Sequence, residues 1–237
     1  MLVCMAVTKL RSREEVVAAA GDTPYTRMMT AGDAPTTGVV TSGGVAWRTV
    51  GPWGPLTCVL GAETALDALG GPVTGYLHLS APSGRPDLRL REAWEFRWLA
   101  GPPVVVPPLA SGEALRLTVD DHAELHALLD EAFPTTSSRP GDPWTGGWWG
   151  VRDPTGRLVA CGAERTHNGI GYLSAVAVAP SHRGRGLASA LTAAMTADLH
   201  ARHGAVTLGV NVANTRAIAL YERLGFTGRL VRYEYLI

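Results

Sequence analysis

The spacing of apolar and polar residues changes period repeatedly along the chain, and the changes are clearest after residue 113. "ALRLTVD" (114–120) alternates with period two and predicts a strand. "HAELHALLDEAF" lines up Leu125, Leu128, Leu129 and Ala132 and predicts a helix, with Asp120 or Asp121 as its cap. "PTTSSRPGDPWTGGW" reads as a loop, and "WWGVRDPTGRLVACGAER" as two strand runs around a "DPTG" turn. "GYLSAVAVAP" is a strand stopped by Pro180. "GRGLASALTAAMTADLHARHG" is a helix with Leu187, Leu191, Ala194, Met195 and Leu199 on one side and Gly204 past its end. "AVTLGVNV" predicts a strand, "NTRAIALYERLGF" a helix closed by Gly225, and "RLVRYEYLI" a last strand. The order β-α-(α)-β-β-β-α-β-α-β is that of a mixed α/β domain over residues 113–237.

The first hundred residues carry weaker patterns. "GGVAWRTV", "PLTCVL", "GYLHLSA" and "AWEFRWLA" predict strands, and "AETALDALG" a short helix between two of them. This strand-helix-strand order echoes the centre of the second half and predicts an α/β module over residues 1–100. Between the two lies a proline-rich connector, residues 101–112, in "LAGPPVVVPPLASGE". Proline neither continues a helix nor pairs in a central strand, so this stretch is expected to run extended, tethered by its valines.

Composition narrows the classes. Hydrophobic residues make up 46% of 237, enough for a packed core. Twenty-one basic residues balance 21 acidic ones, which argues against a nucleic-acid partner. No apolar run approaches the roughly 20 residues that cross a bilayer, and the start "MLVCMAVTKL" lacks signal-peptide features. Cys4, Cys58 and Cys161 are few and widely spaced, as in a reducing cytoplasm, and form no metal-ligand pattern. The histidines add none: His122 and His126 lie four apart without a third ligand. No metal is expected.

The chemistry concentrates in "VAVAPSHRGRGLASAL" (176–191). A helix start exposes unpaired N–H groups with partial positive charge and so attracts an anion. Gly184 and Gly186 carry no side chain to obstruct a diphosphate, Ala188 and Ser189 keep the first turn slim, and Arg183 and Arg185 add fork-shaped donors. A dinucleotide-binding glycine motif does not fit, since its third position is Ser189 and the acidic residue at the end of the next strand is missing. A phosphate loop ending in Gly-Lys is excluded because Lys9 is the one lysine.

"RGRGLA" with its preceding "VAVAP" strand, and "NVANTRAIALYERLGF" (211–226) downstream, resemble the two hallmark motifs of the GNAT superfamily of acyl-CoA-dependent N-acetyltransferases. The resemblance covers about residues 113–237; the first half carries neither motif and is read as a divergent GNAT-like module. It implies the acyl-CoA N-acyltransferase fold and acetyl-CoA as co-substrate. It further implies that the pantetheine arm inserts between two splayed parallel strands, pairing with the backbone along Val176, Ala177 and Val178. The diphosphate would rest on the turn formed by Arg183, Gly184, Arg185, Gly186, Leu187, Ala188 and Ser189. Asn214 would touch the coenzyme and start the last helix. Tyr221, on a face shared with Ile218 and Leu224, would protonate the departing thiolate.

Acetyl transfer to an amine needs a neutral nucleophile, hence a base or water. Glu164 is the first candidate, ahead of Asp142 and Glu234, with pairing to a nearby arginine as its competing role. Trp144 and Trp148, in "GDPWTGGWWG", are the candidate acceptor pocket, and Trp149 a core residue. The expected reaction is direct attack of a primary amine of a small molecule or peptide on the thioester. Alternatives are a non-catalytic acyl-CoA sensor and an acetyltransferase that recruits a protein partner. Monomer and homodimer are both compatible with the sequence.

Overall fold

The computed structural model describes residues 6–30, 35–51, 54–106 and 113–236. Its contacts divide the chain into two units, and the division does not follow chain order. One unit runs to Phe96 and adds Val210–Thr215 and the stretch from Arg229 onward; the other holds Arg97–Gly209 and Arg216–Gly228. This differs from a cut at residues 101–112. The end of the first half lies with the second unit, and the last strand lies with the first. Residues 107–112 of the connector fall outside the described residues.

In the first half the elements are β1 (Thr8–Leu10), α1 (Arg13–Ala20), α2 (Pro24–Met28), β2 (Thr37–Thr41), β3 (Gly44–Gly51), β4 (Gly54–Gly61), α3 (Thr64–Leu69), β5 (Tyr76–Leu79) and β6 (Arg89–Trp98). The second half holds β7 (Leu115–Leu117), α4 (His122–Ala132), β8 (Gly147–Arg152), β9 (Leu158–Glu164), β10 (Gly171–Val178), α5 (Leu187–His203), β11 (Val206–Asn211), α6 (Thr215–Arg223) and β12 (Gly228–Leu236). The second-half order matches the one read from periodicity. In the first half, β3 to β6 and α3 match as well, whereas β1, α1, α2 and β2 have no counterpart in the sequence reading. α1 buries only Val16, so its periodicity is faint. Its caps were the usable signal: Ser12 accepts from the N–H of Glu15 at 3.2 Å while Glu15 accepts from the N–H of Arg11. The helix α4 is also entered differently from expectation. Thr118 and Asp121 form a reciprocal capping box one turn earlier, and Asp121 makes no cap bond to α4 itself.

Both units are built on one plan. In the first, β1 to β4 form an antiparallel meander, α3 crosses over, and β5 returns parallel to β4. In the second, β7 to β10 form the meander, α5 crosses over, and β11 returns parallel to β10. The echo heard in the sequence is therefore topological. The strand order within the first unit is β1-β2-β3-β4-β5-β12-β6, with β12 antiparallel to β5 through Glu234 opposite His78; within the second it is β11-β10-β9-β8-β7.

Each core follows from the apolar stripes. In the first unit Ala65 and Leu66 of α3 cover Val39, Ala46, Val59, Leu77, Leu79 and Tyr235. In the second, Leu125, Leu128 and Leu129 of α4 and Leu187, Leu191, Met195 and Leu199 of α5 are buried, each contributing about 1.5–3 kcal/mol. Met195 fits because residue 162 is glycine: a Cβ there would lie 2.7 Å from the Met195 sulfur.

Candidate active site

The strands β10 and β11 part company halfway along. Their parallel register pairs Gly171, Tyr172 and Leu173 with Val206, Thr207 and Leu208 and goes no further, although β10 continues to Val178. The cause lies on the other edge of β10. Its register with β9 shifts between Ser174 and Ala177, and Ala175 sits in the left-handed region at φ 49°. A bulge of this kind adds a residue, bends the strand and turns it from its neighbour. A non-glycine residue held left-handed costs on the order of 1–2 kcal/mol and persists only where its surroundings fix it. One fixing contact is the hydroxyl pair Ser138–Ser174 at 2.9 Å, with Ser138 wholly buried. Beyond the bulge Ala177 is buried, while Val176 and Val178 are half-buried.

At the end of β10 the chain turns through Pro180–His182 and enters α5. Gly184 and Gly186 both adopt φ 80°, a conformation only glycine takes without strain. Gly186 is the N-cap residue and no side chain caps the helix. The first helical bond runs from the N–H of Ala190 to the carbonyl of Gly186, so the N–H groups of Leu187, Ala188 and Ser189 have no carbonyl within the helix to meet. The two arginines hold the turn. Arg183 donates to the carbonyls of Val178 (3.1 Å) and Ala132 (3.3 Å), and Arg185 to that of Ser181 (3.1 Å). Each is exposed and engages only part of its five donors.

Helix α6 follows β11. Asn214 directly precedes it, exposed, its N–H bonded to the carbonyl of Asn211 at 2.9 Å. The expected shared face is present: Ile218 and Tyr221 are half-buried and Leu224 is buried. The Tyr221 ring packs edge-on against Phe226 with centroids 6.1 Å apart. Burial, aided by the nearby Tyr172 phenol, pushes its hydroxyl up to about 12, so it carries its proton at any ordinary pH.

Glu164 is placed where the sequence put it, as the last residue of β9, but not as a free base. It is 4% exposed and held by Arg202 at 2.7 Å, Arg116 at 3.1 Å and the Thr166 hydroxyl at 3.1 Å. Burial alone would raise its pKa, but hydrogen bonds and charge from Arg202, with Thr166 and Arg116, outweigh it and leave the carboxyl below its usual range. A carboxylate so stabilised is a weak proton acceptor, and its contacts match the competing role of pairing with arginine. Of the weaker candidates, Asp142 lies 3.5 Å from Arg165, and Glu234 pairs with Arg91 and His78 in the first unit.

The tryptophans separate. Trp144 is 64% exposed, whereas Trp148 is 5% exposed within β8, so the two do not form one open aromatic wall. Trp148 is buried within β8, while Trp144 is open to solvent. Trp149 is a core residue, with the Arg116 guanidinium 4.6 Å over its ring. Among the described residues no group of three or more His, Cys, Asp or Glu side chains is placed to hold a metal ion. No helix of the described residues is long and apolar enough to cross a membrane.

A parallel strand pair opened by a bulge beside a glycine-cornered helix start has known counterparts. The protein-family model described as FR47-like protein matches residues 150–235. The mycothiol acetyltransferase of Salinispora tropica is 34% identical over 194 residues, covering 70% of this chain and 63% of that protein. The GCN5-related N-acetyltransferase of Sphaerobacter thermophilus superposes with a TM-score of 0.58 at 16% identity, over 97% of this chain and 94% of that one. In sequence and in fold the chain is similar to the GNAT acetyltransferases. A second GNAT structure, from Kribbella flavida, shares the fold with a TM-score of 0.56 at 15% identity, over 93% of each chain. The mycothiol acetyltransferase of Salinispora arenicola is 36% identical over 66% of this chain and 60% of its own length. The chain thus spans somewhat less than two thirds of the curated relatives it matches.

Proposed function

We propose that the chain transfers the acetyl group of acetyl-CoA to a primary amine, in the second unit. The observation that carries this is the three-pair β10–β11 ladder opening beside the uncapped start of α5. Beyond Leu173 the backbone edge of β10 is available to amides of an extended arm, as a missing strand would use it. The N–H groups of Leu187, Ala188 and Ser189 suit a diphosphate, and the left-handed glycines leave room for it. In this reading the neutral amine nitrogen bonds to the thioester carbon and the C–S bond breaks. The proton that nitrogen sheds balances the one the sulfur takes up. A backbone N–H near Val176 steadies the oxyanion. Tyr221 faces the leaving sulfur as a hydrogen-bond donor. Its hydroxyl, near 12, is a weaker acid than an ordinary thiol at about 8.5, so it steadies the growing thiolate more than it surrenders a proton. Water replaces Glu164 as acceptor of the amine proton.

The acceptor is an amine of the kind the mycothiol acetyltransferases serve, and Trp144 is the exposed aromatic residue available to it. The setting is the cytoplasm, where the buried free thiols Cys58 and Cys161 stay reduced. The test is acetyl-CoA turnover with a panel of primary amines that includes the mycothiol precursor, read as release of free thiol. Gly186→Val, which forces a β-branched residue to φ 80°, is expected to weaken acetyl-CoA binding at least about tenfold with the fold intact by circular dichroism. Tight binding without thiol release for any amine would favour the sensor reading; no binding would remove both.

A further inference from the structure

The second unit contains a piece of the first half of the sequence, and that piece grips the helix carrying Tyr221. Four consecutive residues hold the end of that helix, the turn that follows it and the flanking strands. Arg97, 1% exposed, donates to the carbonyl of Phe226 at 3.0 Å and to the Glu222 carboxylate at 2.9 Å. The Trp98 ring lies on the backbone of Gly228, where any Cβ would collide with it. Leu99 packs against Gly225 and donates its N–H to the carbonyl of Val206 at 3.0 Å, and the N–H of Ala100 reaches the carbonyl of Gly225 at 3.2 Å.

These contacts meet the end of α6 where it closes. The N–H of Phe226 bonds to the carbonyl of Tyr221 and that of Gly225 to the carbonyl of Glu222, with Gly225 left-handed at φ 91°. This is a Schellman closure, and it begins on Tyr221 itself. A helix C-terminus carries partial negative charge, so a guanidinium fits there, and a buried one needs such partners. Phe226, whose carbonyl Arg97 holds, is also the ring against which Tyr221 packs.

We infer that Arg97 is a positioning residue for acetyl transfer: it fixes the last turn of α6 and through it the Tyr221 hydroxyl. This rests on the proposed role of Tyr221. Arg97 lies outside both motifs and outside the FR47-like match, and its role comes from 125 to 129 residues away along the chain.

The experiment is a kinetic double-mutant cycle on the full chain with acetyl-CoA and the best amine of the panel. Arg97→Met is expected to lower kcat about tenfold or more while the KM for acetyl-CoA stays within about twofold, since misplacing a group by an ångström costs up to about a hundredfold. Arg97→Lys, which keeps the charge and loses the fork, should recover part of it. In the Tyr221→Phe background, Arg97→Met should cost less than about twofold more, because both act on one step. Glu222→Gln, at a half-exposed partner, decides the matter if Arg97→Met does not fold: it should lower kcat a few-fold alone and not at all beside Tyr221→Phe. Losses that multiply in the double variants, or a rise in KM with kcat unchanged, would overturn the inference while leaving acetyl transfer standing. A Tyr221→Phe protein with wild-type kcat would overturn it together with the role given to Tyr221.

Discussion

At Glu164 a buried carboxylate meets two guanidiniums, and the pairing decides how it titrates. Its folded pKa lies below the unfolded value of about 4.3, so the stability it contributes is present above that value and is lost as pH falls through the depressed folded pKa. Glu164→Gln should lower stability by about 1–2 kcal/mol at neutral pH, because Arg116 and Arg202 are partly exposed and screened, and should flatten the acid limb of the unfolding curve. Chemical denaturation between neutral pH and mild acid checks both. A variant of wild-type stability and much reduced turnover would return Glu164 to the role of base. Tyr221 responds differently: in the role proposed for it, Tyr221→Phe should reduce kcat by about 10- to 100-fold, with acetyl-CoA affinity nearly unchanged by calorimetry.

The two parallel strand pairs, one per unit, share a plan and differ in closure. β10 and β11 separate after three pairs. β4 and β5 pair from Leu56 opposite Tyr76 to Val59 opposite Leu79, and the ladder continues as the N–H of Ser80 meets the carbonyl of Val59 at 3.0 Å. The serine side chain then takes the N–H of Gly61 at 3.0 Å, so no backbone edge is left between those strands for an inserted arm. The crossover helix differs in charge as well. α3 has six residues, begins after Glu63 and carries Asp67 in its first turn, which repels a diphosphate, whereas the turn before α5 holds Arg183 and Arg185. The chain should therefore bind one acetyl-CoA, lost in Gly186→Val; equilibrium dialysis returning two per chain would show that the first unit opens. Element types along the second half were legible in the periodicity, and so was the glycine turn. The difference in closure was not, since it depends on a bulge and on which strand edges meet.

For the whole molecule the exchange of segments has a practical consequence. β12 pairs with β5, and residues 97–100 belong with β11 and α6. A chain beginning at residue 113 keeps both hallmark motifs but loses the partner of its last strand and the residues that hold the end of α6. It should show no cooperative thermal transition by far-ultraviolet circular dichroism and little turnover, because an unpaired strand and an uncovered apolar surface are both costly. A truncated chain that melts cooperatively and turns over like the full protein would show that the second half is self-sufficient.

The sequence by itself determined what depends on near neighbours: the strand and helix periods, the glycines at 184, 186 and 225 that take left-handed turns, and the two motifs that carry the family resemblance. Local backbone sterics and side-chain spacing fix these within a few residues of chain. Only the tertiary structure decided that Glu164 is bound by two arginines, that Trp148 is buried, and that Arg97 reaches α6. It also decided which unit keeps β12. The physical reason is range. Such roles come from charges and strand edges that are distant in sequence and meet only after burial has brought them together, and no period along the chain records the meeting.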